Sequence, residues 1–428
     1  MKYALVLLSL LASAMVNAEK LAIVGGQVHT MGEMGVLEQG TVLINNGQIE
    51  AVSQSTDIPS GYQRIDASGK VVTPGLIGAM TSLGLVEVSM SAGPVHSSVD
   101  DHAVSKTGAA LDVSYAINTD ATVVGVSRLE GVTSAATAIQ SSGQLFHGQG
   151  AVISLDPNGD PILAPNAFMV LKVTGAAAQA NGGSKAALWV AIETAFNEAK
   201  EAAIKGQSPM FRYADSWHGI TSKADVKVLQ EVLKGAMPLF IYADSAADIR
   251  QVIRFKARNE GLKVTLVGGV EAWRVAEELV AANISVVLDP ESNLPGNFEQ
   301  LGATLRNAAK LESAGGKVAI GMNTHNIRLA TQHAGNAVSH GLSHEQGLAA
   351  LTINPATMLG VDGKLGSLEA GKQADVVIWS GDPLEVTESA EQVIINGKMI
   401  EMTSRQDKLM KRYKAFYGAN GTTPHYIR

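Results

Sequence analysis

Residues 72–84 read VTPGLIGAMTSLG, and this stretch decides the fold. Within it, residues 76–82 form a short apolar run that predicts a buried strand. Similar runs follow along the chain, and helical patterns lie between most of them. Strands that alternate with helices are typical of βα units in a parallel sheet. The predicted strands are residues 76–82, 132–136, 151–155, 168–173, 239–243, 263–267, 285–288 and 318–321.

Eight parallel strands separated by helices predict an α/β fold, a (β/α)8 TIM barrel over residues 74–360. Residues 186–205 are the clearest helix, with apolar side chains along one face and Ser184 placed to cap its beginning. Ser343 and Gln346 have the spacing of a capping box and open a later helix. An open, doubly wound sheet is the alternative, but no GxGxxG phosphate loop follows a strand.

Both ends of the chain contain short strands and tight turns. Residues 40–44 alternate in polarity and end at Asn45-Asn46-Gly47, which is a hairpin signal. Residues 393–396 are predicted to pair with residues 399–402 across Gly397-Lys398. Because neither end can bury a core alone, we expect residues 19–73 and 361–428 to pack together as one small composite β-sandwich.

Composition and the first residues indicate an exported globular protein. The 428 residues are 46% hydrophobic and 17% charged, which is ordinary for a globular protein. The net charge is −7, and no stretch of the sequence resembles a basic patch for nucleic acid. The chain has no cysteine, which excludes disulfides and thiolate catalysis. Residues 1–18 have the charge, apolar run and small residues of a signal peptide. We expect a periplasmic protein, with no membrane span because no other apolar run reaches about 20 residues.

Three motifs frame the predicted barrel. Residues 73–77 read TPGLI, residues 351–356 read LTINPA, and residues 366–375 read GSLEAGKQAD. In this order, at the two ends of a barrel-sized segment, they resemble the amidohydrolase superfamily, and its imidazolonepropionase-like branch in particular. The resemblance implies a (β/α)8 barrel and a hydrolase that acts on C–N bonds other than peptide bonds.

The resemblance also implies a catalytic metal, usually Zn²⁺, at the carboxyl ends of the barrel strands. Active members use a His-x-His on strand one, a Lys or Glu on strand four, a His on each of strands five and six, and an Asp on strand eight. Strand four here offers Lys172. The other positions carry side chains that do not assemble a zinc site, so we expect no cofactor, with zinc at a displaced site as the alternative. The residues at these substituted positions face the barrel mouth, and we predict that they contact a substrate. They are Met80, Ser82, Tyr242, Gly268 and Asn323.

Other polar residues near the strand ends are weaker catalytic candidates. Asp244, Glu271 and His325 form a trio for a displaced metal or for acid–base chemistry. The structural alternative is that Asp244 begins a loop, Glu271 caps a helix and His325 bonds a neighbouring loop. Lys172 is a candidate nucleophile if it is desolvated, and otherwise a solvated or paired lysine. His96 belongs to a polar loop after the first strand, where an exposed histidine is common.

Two functions from different classes therefore stay open. The first is a hydrolase acting on a small cyclic amide or a related substrate without the usual metal centre. The second is a catalytically silent pseudoenzyme that keeps the barrel mouth as a pocket for a small molecule. A homo-oligomer, or a subunit that partners an active relative, is compatible with either function.

Overall fold

The computed structural model describes residues 20–88, 92–100, 102–206, 219–321 and 323–417. The predicted signal peptide lies outside the described residues. The strands are β1 Leu21–His29, β2 Val36–Asn45, β3 Gln48–Ser53, β4 Gln63–Asp66, β5 Val71–Pro74, β6 Leu76–Thr81, β7 Val86–Val88, β8 Ala92–Val95, β9 Ser98–Val99, β10 Val132–Thr137, β11 Ser141–Ser142, β12 Phe146–Ser154, β13 Ile162–Lys172, β14 Leu239–Ala243, β15 Val264–Gly268, β16 Ser285–Leu288, β17 Val318–Ile320, β18 Val376–Trp379, β19 Ala390–Ile395 and β20 Lys398–Met399. The α-helices are α1 Thr122–Leu129, α2 Gly175–Ala180, α3 Lys185–Gly206, α4 Lys223–Leu233, α5 Ala246–Ala257, α6 Ala276–Ala281, α7 Asn307–Ser313, α8 Ala330–Ser339, α9 His344–Ala349, α10 Ile353–Leu359 and α11 Arg405–Tyr417.

The central sheet is a nearly closed, barrel-like ring of eight strands. Its order is β6-β10-β12-β13-β14-β15-β16-β17. At the seam, the Asn323 N–H donates to the Met80 oxygen over 3.2 Å, and the Ser82 N–H donates to the Thr324 oxygen over 3.1 Å. These bonds join the segment after β17 to β6, so the two edge strands meet. Each strand lies on or overlaps a strand predicted from the sequence.

The prediction that all eight strands are parallel was wrong for one of them. Strand β12 runs antiparallel to both of its neighbours, β10 and β13. The reason lies in residues 155–161, LDPNGDP, which turn the chain directly from β12 into β13 with no room for a helix. The (β/α) alternation therefore fails between β10 and β13 and holds from β13 onward.

The barrel interior is a packed apolar core. The rings of Phe168 and Phe240 lie 4.6 Å apart, and Met80, Val267 and Val287 belong to the same buried cluster. Residues next to these along the strands, such as Leu171 and Ile241, pack outward against the helices. This alternation is the period of two that a barrel wall requires.

A second sheet of eight strands joins the two ends of the described chain. Its order is β20-β19-β18-β5-β1-β2-β3, and β4 pairs with β1. Strand β18 pairs antiparallel with β5, which connects the C-terminal strands to the N-terminal ones. The predicted hairpin is present, with positive φ at Asn46 and Gly47. The hydrogen bonding describes one continuous sheet, and its folding into a two-layered sandwich stays a prediction, as do the exact domain boundaries.

Local helix signals in the sequence were informative. Helix α3 matches the predicted helix over 186–205, and the Ser184 hydroxyl accepts from the Ala187 N–H. Ser343 caps α9 by accepting from the Gln346 N–H. Within the described residues, no helix combines the length and the apolar character that a membrane crossing needs.

Candidate functional site

The barrel mouth is the rim where the parallel strands end and the antiparallel β12 begins. The register places Phe146 of β12 opposite Leu171 of β13, and because the strands are antiparallel His147 lies one step further from the rim, near the level of Val170. Lys172, at the end of β13, pairs with Tyr242 of β14. In barrels of this kind the loops at the carboxyl ends of the strands build the active site.

The five substituted positions are placed around this mouth, and they differ in accessibility. Met80 is 1% exposed and Ser82 is 4% exposed, so both are part of the core surface beneath the mouth. Tyr242 is half-buried, and its hydroxyl donates to Asn323 Oδ1 over 2.9 Å. Gly268 ends β15 with a φ of +85°. Burial raises the pKa of Tyr242, with a further contribution from Asp244, so the phenol stays neutral.

These side chains do not fit a catalytic zinc ion. A thioether, a neutral phenol, an amide and a hydrogen offer none of the imidazole, carboxylate or thiolate donors that zinc requires. The Tyr242 hydroxyl and the Asn323 oxygen are also bonded to each other. Across the described ranges, His, Asp and Glu side chains form no group of three that is arranged to hold a metal.

Asp244 and Glu271 are neighbours, but their bonds give Glu271 a structural role. Glu271 is 5% exposed and accepts from the backbone N–H groups of Ala246 (3.0 Å) and Gly302 (2.8 Å). It thereby fixes the start of α5 and the loop before α7. Asp244 accepts from Gln300 Nε2 over 2.9 Å, and burial raises its pKa.

His325 does not complete the predicted trio. It follows β17 at the mouth and is half-buried. Between described residues, no hydrogen bond or ion pair joins its ring to Asp244 or Glu271. In the loop after β6, His96 is exposed, and His102 accepts from two backbone N–H groups of its own loop. The geometry therefore does not assemble an acid–base pair from these histidines.

Lys172 and His147 are two largely buried titratable residues near the mouth, and burial lowers the pKa of each. Burial lowers the pKa of Lys172 to about 8. Burial and the charge of Lys172 lower the pKa of His147 to about 3, against a bond to the Ile139 backbone that raises it. His147 is 5% exposed, and among the described residues its Nδ1 has no hydrogen-bond partner. The imidazole is thus a neutral, buried neighbour of a partly desolvated amine.

A buried carboxylate fixes the loop beside His147. Asp225, at the start of α4, is 0% exposed and accepts from Ser105 Oγ (2.5 Å), the Thr107 N–H (3.1 Å) and the Ala110 N–H (3.1 Å). The Thr107 oxygen in turn accepts from the Phe146 N–H. Asp225 therefore holds the loop against the beginning of β12.

Sequence reasoning missed both His147 and Asp225, although each had a local signal. His147 lies in β12, residues 146–154, whereas the predicted strand covered residues 151–155 and did not reach His147. Asp225 lies three residues after Ser222, and the two form a complete capping box in the structure. The carboxylate does more than cap the helix, because the loop bonds come from residues more than 100 positions away.

Fold and mouth together define an α/β protein with a nearly closed, barrel-like sheet. A sequence model described as "Amidohydrolase family" matches residues 274–400. Amidohydrolase tasK of Hapsidospora irregularis is 38% identical over 72 residues, which are 17% of this chain and 7% of that protein. The imidazolonepropionase of Shewanella oneidensis is 40% identical over 65 residues, 14% of this chain and 16% of that protein. The aligned segments thus span much less than two thirds of these relatives.

The fold comparison covers far more of the chain. The crystal structure of an amidohydrolase from Thermotoga maritima MSB8 superposes with a TM-score of 0.79 and 23% identity, covering 89% of this chain and 100% of that one. At this identity the likeness establishes the fold. The sequence matches are to members of the amidohydrolase superfamily, and those to imidazolonepropionases cover 12–22% of this chain.

Proposed function

We propose that this amidohydrolase-superfamily protein binds a small molecule at the barrel mouth and lacks the metal-dependent hydrolysis of its active relatives. One observation carries the proposal. The Tyr242 hydroxyl donates to Asn323 Oδ1 over 2.9 Å, and the family resemblance sets these two residues at the ligand positions of barrel strands five and eight. The bond holds the two side chains to each other, and a neutral phenol and an amide are not the imidazole, carboxylate or thiolate donors that zinc takes.

The surrounding residues support binding more than turnover. Asn in place of Asp cannot take a proton from water at neutral pH, and Glu271 is committed to backbone N–H groups. Asn323 is exposed and Tyr242 is half-buried, so polar groups face a ligand at the mouth. A few polar groups above an apolar floor are typical of small-molecule sites.

The hydrolase alternative keeps one specific observation in its favour. Burial raises the pKa of the Asp244 carboxyl, which is the direction that a general acid or base near neutral pH needs. Under this alternative a small cyclic amide is cleaved at a C–N bond without the usual metal centre. Asp244 then acts on the substrate directly.

A ligand panel with and without zinc separates the two functions. Purified full chain is incubated with zinc, desalted and analysed for metal, then screened for thermal stabilisation and turnover with hydantoins, lactams, N-acyl amino acids and dipeptides. We expect no stoichiometric zinc, and stabilisation without turnover. A ligand at 100 times its Kd adds about 2.7 kcal/mol to the stability of the folded protein.

Variants locate the site. Asn323→Ala should lose the stabilisation by the ligand, whereas Asn158→Ala, in the turn between β12 and β13 at the other end of the barrel, should keep it. Stoichiometric, tightly held zinc would overturn the metal-free site. Turnover that disappears in Asp244→Ala would establish the hydrolase instead.

We also propose export to the periplasm, supported by the pattern of residues 1–18. Cell fractionation of the tagged full-length chain tests this, and retention of unprocessed protein in the cytoplasm would contradict it.

A further inference from the structure

A cleft of about 510 Å³ lies between helix α1 and the segment that leads into α11. One wall consists of residues of α1 and of the loop before it, and the other consists of residues between 400 and 408. Pro157, in the turn from β12 to β13, also lines the cleft. Because β12 begins at the mouth, this turn lies at the opposite end of the barrel. The cleft is therefore separate from the site at the mouth.

Arg128 provides a guanidinium group that is held in place in the wall of the cleft. Its side chain is half-buried, and its Nε–H donates to the Leu155 backbone oxygen. Among the described residues, its two terminal nitrogens donate to no acceptor, and no carboxylate forms an ion pair with it. Burial lowers the pKa of Arg128, against the opposite effects of Asp156 and Asp120, but an arginine in a protein stays protonated. The cleft thus contains a fixed positive charge with free N–H donors.

Two further cations line the same cleft from its other wall. Arg405 and Lys408 lie three residues apart at the beginning of α11, a spacing that places them on one face of the helix. Both are exposed, and neither forms an ion pair within the part of the chain that the structure describes. The lining also includes the carboxylates of Asp120 and Glu401. Three cations against two carboxylates leave one positive charge, which a ligand with one negative charge would balance.

The rest of the lining is apolar. Val126 and Leu129 of α1, together with Pro157 and Ile400, contribute hydrocarbon surface, and Ile400 is only 8% exposed. An apolar floor with a few polar groups is typical of small-molecule sites, which usually measure about 300–1,000 Å³. The cleft therefore suits a ligand that combines an anionic group with an apolar body.

From these features we infer that the cleft binds a small carboxylate ligand with an apolar body, and that Arg128 holds the carboxylate. A guanidinium offers two parallel N–H donors that match the two oxygens of a carboxylate. Arg405 and Lys408 attract the same charge from the opposite wall, and the apolar body covers the surface around Ile400. A ligand in this position contacts both α1 and the C-terminal segment, so it ties that segment to the barrel. The inference goes beyond the proposed function, because it concerns a second site.

Calorimetric titration of the full chain with benzoate and benzamide tests the ligand class. The two probes have nearly the same shape and differ in charge. For benzoate we expect a dissociation constant of about 1 mM, since so small a ligand binds weakly. Benzamide should bind at least about tenfold more weakly, because it lacks the charge-assisted bonds. Inorganic phosphate, which has the charge and no apolar body, should bind at least about fivefold more weakly than benzoate.

Variants locate the binding of benzoate. Arg128→Gln should weaken it at least about tenfold, and Arg128→Lys, which keeps the charge without the paired donors, should have a smaller effect. Arg405→Gln should weaken it about two- to fivefold, as expected for an exposed charge. Arg412→Gln makes the same change further along α11 and outside the lining, so it should leave the affinity unchanged. The comparison of Arg405→Gln with Arg412→Gln still decides if a change at the half-buried Arg128 prevents folding.

Four results would each overturn the inference. They are the absence of benzoate binding at about 10 mM, equal affinity for benzoate and benzamide, phosphate bound as tightly as benzoate, and equal effects of Arg405→Gln and Arg412→Gln.

Discussion

Restoring a metal ligand at Gly268 is expected to damage the fold and to bring back no metal. The family resemblance sets Gly268 at the position of the strand-six histidine, and Gly268→His tests whether a histidine there can hold zinc. The residue has a φ of +85°, in the left-handed region that glycine adopts readily and other residues do not. A Cβ at this place would lie 2.6 Å from Asp244 Oδ1.

The expected loss of stability has two parts, one from the backbone conformation of Gly268 and one from the contact with Asp244. A non-glycine residue in the left-handed region costs about 1–2 kcal/mol. Moving the Asp244 carboxylate away breaks its 2.9 Å bond from Gln300, and a hydrogen bond to a charged group contributes about 1.5–3 kcal/mol. The sum is about 2.5–5 kcal/mol. With a urea dependence of about 3 kcal/mol per molar for a large chain, the unfolding midpoint falls by about 0.8–1.7 M.

Urea unfolding followed by tryptophan fluorescence measures this shift. Gly363→His is the matched control, because Gly363 is exposed and a Cβ there meets nothing within 4 Å. The control should lie within about 0.5 kcal/mol of the unchanged protein. If Gly268→His unfolds at the same urea concentration as Gly363→His, or holds zinc after desalting, the steric reasoning is refuted.

Two further predictions concern the bonds that shape the mouth. Asp225→Asn should lower stability by about 3 kcal/mol and make the 105–110 loop sensitive to proteolysis, because an amide cannot accept all the bonds that the carboxylate accepts; Asp160→Asn in an exposed turn is the control, and equal stability of the two variants would contradict the prediction. Burial raises the Asp225 pKa, but the bonds from Ser105, Ser222 and Thr107 together lower it further, so the net pKa lies below its usual value. The contribution of Asp225 to stability is therefore present above the unfolded value of about 3.9 and is lost as pH falls through the lower folded value. The difference in unfolding midpoint between Asp225→Asn and the unchanged protein should shrink in that acidic range. Tyr242→Phe should lose about 1 kcal/mol of stability and weaken binding of the ligand found in the panel, and unchanged values for both would remove the role assigned to its bond with Asn323.

The sequence predicted the positions of the barrel strands because each is a short apolar run bounded by breaks. It did not predict the direction of β12, since an apolar run reads the same for either direction. Direction depends on the connections, and the turn at residues 155–161 was the available signal. Helix beginnings were predicted well where a serine caps the first turn, as at Ser184 and Ser343.

The candidate site was predictable only in part. The alignment with family motifs reached the mouth residues, and Lys172 was reached as a candidate nucleophile. The role of Glu271 follows from bonds to Ala246 and Gly302, residues that come together only in the fold. The pKa of Lys172 depends on burial and on the absence of a carboxylate among its described neighbours. Neither can be read from the sequence of residues 168–173.

The charge states around the mouth indicate which ligands it accepts. Burial is the largest cause of three pKa shifts there: it lowers the pKa of Lys172 and raises those of Asp244 and Tyr242. Each of these shifts favours the neutral form of the side chain. A site that disfavours its own charges also disfavours a charged ligand that brings no partner, because the ligand would lose its hydration. The mouth should therefore prefer an uncharged carbonyl or amide group at its centre, with any charge of the ligand left toward solvent.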